Sequence, residues 1–177
     1  MNAYARTNTP NGPALQEMSE TAVLNANYLL ALLKDAYDLP YDRLCMHEFV
    51  LSARPLKREH GVTALDVAKR LMDYGFHPPT IYFPLLVPEA LMIEPTETEA
   101  KETLDEFADA MAAIAREAAE EPELLKSAPH GRAVGRLDEV KAVKKVVVRY
   151  LFDEHPDLST QEESVPKTAV VEAPKGA

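Results

Sequence analysis

The histidines and the single cysteine are the side chains in this sequence best suited to catalysis or metal binding. His47 lies two residues after Cys45, so on an extended strand both side chains point to the same face. Two interpretations are open: a cysteine–histidine pair that acts on a substrate, or a core strand face with one hydrogen-bonded histidine. No histidines have metal-ligand spacing on one element, and Cys45 has no cysteine partner, so we predict no metal site.

Two other residues could contact a substrate. Arg54 follows a predicted strand and could bind a carboxylate through two hydrogen bonds, or it could be an ordinary surface arginine. His77 precedes Pro78 and Pro79, which stiffen the loop, so it is either a positioned binding residue or a loop anchor that bonds the backbone. The sequence has no glycine-rich phosphate loop and no serine in a nucleophile-elbow motif. We therefore predict no catalytic residue, and we name Arg54 and His77 as substrate-facing candidates.

The composition narrows the class of protein. The chain has 177 residues, enough for one domain, and a formal net charge of -10, which disfavours binding to nucleic-acid phosphates. One cysteine excludes a disulfide framework and fits a reducing compartment. No apolar run approaches the roughly 18 residues that span a membrane, and no secretory signal is visible. We expect a soluble, cytoplasmic protein that binds neither nucleic acid nor membranes.

The positions of apolar residues predict three long helices and a few short strands. The predicted helices cover about Leu15–Tyr37, Thr63 to Gly75, and Thr96 or Thr98 to Pro122; the predicted strands are Leu44–Ala53, Thr80–Phe83 and Leu91–Glu94. Residues 54–58 are expected to leave the sheet as a loop. This order predicts an α+β fold with two layers, in which helices cover one face of a small, mostly antiparallel sheet.

Four segments are expected along the chain. Residues 1–13 lack periodicity and are predicted to be a flexible N-terminus, and residues 14–128 form the α+β domain. Residues 129–152 are predicted to be a loop followed by a docking strand, the apolar run Val146–Phe152. Residues 153–177 are polar and rich in proline, so we predict a disordered tail.

Several segments resemble one protein family closely. They are Val23–Leu29, Met46–Leu51, Asp66–Thr80, Leu91–Glu99 and Arg136–Val140, in register over roughly residues 12–150. Together they resemble the C-terminal domain of the glycine cleavage system P-protein, the decarboxylating glycine dehydrogenase. The segments Tyr82–Leu85 and Val87–Ala90 are similar to subunit 2 of the bacterial two-subunit form.

The resemblance implies the small domain of a type I pyridoxal-phosphate enzyme, which closes over the cofactor cleft. The family decarboxylates glycine on pyridoxal phosphate and passes the aminomethyl group to the lipoyl carrier H-protein. Its cofactor lysine lies in a large domain with no counterpart in this sequence, so the resemblance places no catalytic or cofactor-binding residue here. We expect pyridoxal phosphate in the complete enzyme and no cofactor in this chain alone.

Two functions follow from the resemblance. In the first, the chain is a C-terminal segment of glycine dehydrogenase, acts in glycine catabolism as part of an oxidoreductase, and is inactive alone. In the second, it is a non-catalytic interaction domain that assembles with another P-protein chain. The expected partners are the large domain or other subunit of the P-protein and, in the complete system, the H-protein.

Overall fold

A computed structural model of the chain describes residues 12–146. Within this range it has six helices and a three-stranded sheet. The helices are α1 (Gly12–Leu33), α2 (Arg54–His60), α3 (Ala64–Asp73), α4 (Lys101–Glu120), α5 (Pro122–Ser127) and α6 (Glu139–Lys144), and the strands are β1 (Phe49–Ser52), β2 (Thr80–Ile81) and β3 (Ala90–Ile93). The chain divides into two units between Ala128 and Pro129. None of the described helices is both long and apolar enough to cross a membrane.

The sheet is small and antiparallel throughout, as predicted. Its order is β1-β3-β2, with Phe49 opposite Ile93 and Ser52 opposite Ala90 in one pair of strands. Thr80 lies opposite Met92 in the other pair. In the first unit helices share a core with this sheet, so the α+β fold class is confirmed.

Helices α1 and α4 build most of the core together with β1 and β3. Helix α4 has a stripe of apolar side chains at spacings of three and four, and this stripe is buried except for Phe107, which is half-buried and meets Phe76 edge-on with ring centroids 5.4 Å apart. The Tyr37 hydroxyl, just after α1, donates to the Met111 carbonyl at 3.0 Å. Burial raises the pKa of Tyr37, so this hydroxyl stays a donor. The fully buried side chains include Leu29, Leu33, Leu51, Leu71, Leu91, Met111, Ile114 and Leu125.

Helix α3 has the start and the end that the sequence predicts. The Thr63 hydroxyl accepts from the Asp66 amide at 3.3 Å, and the Asp66 carboxylate accepts from the Thr63 amide at 2.8 Å, which is a capping box. Gly75 follows the helix at a φ of +89°, and the next amide, that of Phe76, donates to the Leu71 carbonyl. This left-handed glycine terminates the helix and turns the chain toward β2.

An ion-paired cluster joins α3 to α4. Arg70 donates to both carboxylate oxygens of Glu117, at 2.9 and 3.0 Å, and to Asp73 at 3.2 Å. The Tyr74 hydroxyl donates to Glu117 at 2.7 Å. Burial, with help from the hydrogen bond to Glu117, raises the pKa of Tyr74 to about 12. The cluster fixes the two helices relative to each other, and its side chains are partly buried.

Two predictions around β1 were wrong. The strand predicted for Leu44–Ala53 is only Phe49–Ser52, because the segment before it is bound by a helix side chain instead of a strand: Asn27 of α1 donates to the Cys45 carbonyl and accepts from its amide. The residues after the strand, predicted to be a loop, form α2. Pro55 fits the first helical turn, and Gly61, at a φ of +70°, ends the helix.

Other boundaries differ by a few residues. Helix α4 begins at Lys101 and not at Thr96 or Thr98. Its N-cap residue is Ala100, which has no side chain to cap the first turn, and the two threonine hydroxyls bond each other at 2.7 Å. The first helix ends at Leu33, and a turn continues to Tyr37.

The second unit is described from residue 129 to residue 146. It contains α6, where the sequence predicts a loop, and the Asp138 carboxylate caps it by accepting from the Lys141 amide at 2.8 Å. Most of the predicted docking strand, the disordered tail at 153–177, and residues 1–11 of the predicted flexible N-terminus lie outside the described residues.

Candidate functional site

A cleft of about 430 Å³ opens beside the sheet in the first unit, a size typical of small-molecule sites. Its walls come from three places: the segment from Phe76 to Thr80, the segment from Met92 to Thr96, and the first half of α4. The first two segments belong to the stretches quoted above for the family resemblance. Residues far apart in sequence thus meet at one surface.

His77 lies on the wall of this cleft and is exposed. Its position follows from its neighbours: Phe76 packs against Phe107, and the two following prolines have a fixed φ and lead directly into β2. The imidazole is therefore presented to solvent from a stiff segment. Among residues 12–146, no hydrogen bond is found for the His77 side chain.

The opposite wall is tied to α1 by a buried amide. Asn25 donates to the Thr96 carbonyl at 2.9 Å and to the Glu99 carbonyl at 3.5 Å. Asn25 is buried, so each of these bonds is protected from competition with water. The wall that carries Glu94 and Thr96 is consequently held at a fixed distance from the helix.

The polar groups of the cleft favour a ligand with hydrogen-bond donors or positive charge. His77, Glu94 and Glu99 supply the ionisable groups, and Thr80, Thr96 and Thr103 supply hydroxyls. Neither lysine nor arginine is among the residues that line it. The floor is apolar and includes Leu29, Met92, Ile93, Leu104 and Phe107.

Glu94 also lines a second cleft of about 370 Å³, together with His47 and Glu97. The His47 Nε2 lies 3.7 Å from the Glu94 Oε1, and a Glu48 oxygen falls within the same group of atoms, all within 4.8 Å of one another. Sequence reasoning missed this cluster because Glu94 follows β3, which is distant in sequence and is brought next to His47 only by the pairing of Phe49 with Ile93. All three residues are exposed, and exposed groups of this kind are common without an ion, so we assign no metal to them.

The cysteine–histidine pair does not form as a shared strand face. Cys45 is half-buried against the core, and burial raises the pKa of its thiol, which disfavours the reactive thiolate. His47 is exposed and faces Glu94. The alternative of a core face with a satisfied histidine is also wrong, since the two residues precede β1.

Arg54 and His77 do not share a site. Arg54 begins α2, just beyond the β1 end where Ser52 lies opposite Ala90. His77 lies before β2 at the other end, where Thr80 faces Met92. The register therefore places the two candidates at opposite ends of the sheet.

A buried carboxylate near Arg54 was not predicted. Glu89 has a φ of +53°, and its side chain is buried, accepts from the Ala64 amide at 2.8 Å, and is ion-paired with Lys57. It thereby caps the start of α3 from a different part of the chain. The hydrogen bond to Glu89 raises the pKa of Lys57.

Comparison with known proteins gives one consistent result. Residues 18–130 match the family described as "Glycine dehydrogenase, C-terminal domain". Over 147 residues, 83% of this chain, it is 58% identical to the "Probable glycine dehydrogenase (decarboxylating) subunit 2" of Listeria innocua and 60% identical to that of Halalkalibacterium halodurans. The Bacillus velezensis protein of the same name is 59% identical over the same length. The chain spans about 30% of the length of these relatives.

Proposed function

The chain belongs to the family of the C-terminal domain of glycine dehydrogenase, and on this premise we propose that it serves as the C-terminal segment of a decarboxylating glycine dehydrogenase. In this role it acts in the cytoplasm with the rest of the enzyme. The complete enzyme decarboxylates glycine on pyridoxal phosphate and passes the aminomethyl group to the H-protein. The observation that carries the proposal is the identity of 57–60% to relatives named as subunit 2 of this enzyme.

The cofactor does not fit the clefts of the described residues. Pyridoxal phosphate needs a lysine amine for its aldehyde and donors for its phosphate, and no lysine or arginine lines either cleft. We therefore assign no step of the reaction to this chain. Its proposed contribution is to help bind and orient the substrate, and to exclude water, at a site whose cofactor is held elsewhere in the complete enzyme.

His77 is the proposed positioning residue of this segment. It is exposed on a stiff loop, at a cleft whose two walls are held by Phe107 and Asn25. Such a surface could be completed by a partner domain without rearrangement of the chain, because the supporting contacts already exist.

A chimera tests the proposal. The matching segment of the Listeria innocua relative is replaced by this chain, and the exchange of the glycine carboxyl group with bicarbonate is measured with subunit 1 and H-protein present. We expect activity, and we expect His77→Ala to lower kcat about tenfold or more, since small misplacements are costly. His130→Ala is the control, since this exposed histidine lines neither cleft. A folded chimera that binds pyridoxal phosphate but has no exchange activity would refute the proposed function and favour an interaction domain.

A further inference from the structure

Between β2 and β3 a short loop presents large apolar side chains to solvent. We call residues 82–86 the apolar loop. Tyr82 and Phe83 are about half exposed, and Leu85 and Leu86 are 88% and 87% exposed. Single exposed apolar residues are ordinary, but four in five consecutive positions mark an interaction surface.

The apolar loop is held in place by hydrogen bonds on both sides. The Tyr82 amide donates to the Ala90 carbonyl and the Val87 amide to the Pro84 carbonyl, each at 3.0 Å. Val87 is buried, and the side chain of Glu89 is bonded to the Ala64 amide. A loop that is already ordered loses little entropy when a partner covers it, which is the property of an anchor at a protein interface.

Next to the apolar loop lies α2, the most basic of the described helices in an acidic protein. Helix α2 carries Arg54, Lys57, Arg58 and His60 in seven residues, whereas the whole chain has a net charge of -10. Lys57 joins the two features through its ion pair with Glu89. Arg54 is exposed, and no ion pair is found for it among the described residues. Lys57 is ion-paired with Glu89 and Arg58 with Glu59 of the same helix, so the positive border of this apolar surface rests on Arg54.

We infer that the apolar loop and Arg54 form the contact through which this chain docks on the remaining part of glycine dehydrogenase, at an apolar pocket bordered by carboxylates. This rests on the proposed function. About 70% of the length of these relatives lies outside the part that this chain matches, so they contain a surface available for such a contact. A second copy fits less well, because a symmetric contact would bring the two positive borders together.

The test compares two contexts. Leu85→Ser with Leu86→Ser is made in the 177-residue chain and in the Listeria chimera, and Tm is measured in both. Leu44→Ser is the matched control, since Leu44 is 87% exposed and lies in the segment before the opposite end of β1. We expect the double variant to leave Tm of the 177-residue chain unchanged, to reduce its binding of a hydrophobic dye, and to lower Tm of the chimera by at least about 2 °C.

Several results would overturn the inference. They are a chimera whose Tm the double variant leaves unchanged, an equal fall with Leu44→Ser, and a chimera that does not fold although the unaltered relative does. A dimer of the 177-residue chain that the double variant abolishes would assign the loop to a second copy. Because Tm is read independently of glycine exchange, a folded but inactive chimera refutes the proposed function without deciding the role of the loop.

Discussion

Replacement of Glu89 tests how the apolar loop and the start of α3 are held together. Alanine at this position removes the carboxylate that accepts a hydrogen bond from the Ala64 amide and forms an ion pair with Lys57. Ala64 is fully buried, so water cannot easily replace the lost acceptor. A buried donor without a partner costs about 1–3 kcal/mol, and we expect the free energy of unfolding to fall by about that amount.

Replacement of Glu89 by glycine separates the effect of losing the side chain from the effect of the backbone conformation. Glu89 has a φ of +53°, which costs a residue with a Cβ about 1 kcal/mol relative to glycine. Glu89→Gly loses the same hydrogen bonds as Glu89→Ala but relieves this strain. It should therefore be destabilised by about 1 kcal/mol less.

The measurement is urea denaturation followed by far-UV circular dichroism at neutral pH, with linear extrapolation to water. Lys57→Met is the comparison variant. It should lower the free energy of unfolding least, because the Lys57 side chain is half exposed. An alanine variant within about 0.5 kcal/mol of the parent, or a glycine variant less stable than the alanine variant, would refute the reasoning.

Three further outcomes are expected. Burial opposes ionisation of Glu117, but the hydrogen bonds from Arg70 and Tyr74 hold its pKa below the ordinary value. The ionised Glu117 therefore stabilises the fold fully above its unfolded-state pKa, and this contribution is lost as the pH falls through its folded-state pKa. Between about pH 6 and about pH 3, the free energy of unfolding should fall less in Glu117→Gln than in the parent chain, and an equal fall in both would contradict this. Met111→Ala should lower the free energy of unfolding by about 2–5 kcal/mol because the side chain is fully buried, whereas Leu86→Ala should change it by less than about 0.5 kcal/mol. Equal effects of the two variants in urea denaturation would show that the core is wrongly assigned. Finally, the chain mixed with pyridoxal phosphate should give no absorbance that survives dialysis and is bleached by borohydride, and a retained band would place a cofactor lysine within it.

Local signals in the sequence identified the elements whose ends are determined locally. Helix α3 was predicted to run from Thr63 to Gly75, and the structure has a capping box at Thr63 and a left-handed glycine at Gly75. The buried stripe of α4 follows from its spacing in the same way. Helix α2 was missed because a proline and a run of basic residues are typical of loops, although proline is well suited to a first helical turn.

The site could be predicted only in part, because it depends on contacts between distant residues. The stiffness of the Pro78–Pro79 segment marked His77, and the structure places it in the larger cleft. The other wall depends on Asn25 bonding a loop 71 residues away, which no local pattern reveals. Glu89 is a non-glycine residue in a left-handed conformation with a buried carboxylate, and both properties follow from its partners at Ala64 and Lys57.

The amide of Asn27 has a consequence for self-association of sheets. Its two bonds to the Cys45 backbone reproduce the paired donor and acceptor with which a neighbouring strand would bind that residue. At the other end of β1, the Ser52 amide donates to the Asp38 carbonyl at 2.8 Å. The opposite edge of the sheet, β2, is two residues long. Neither margin offers a long row of open backbone groups, so the described sheet is a poor template for the strand-by-strand growth that leads to aggregation.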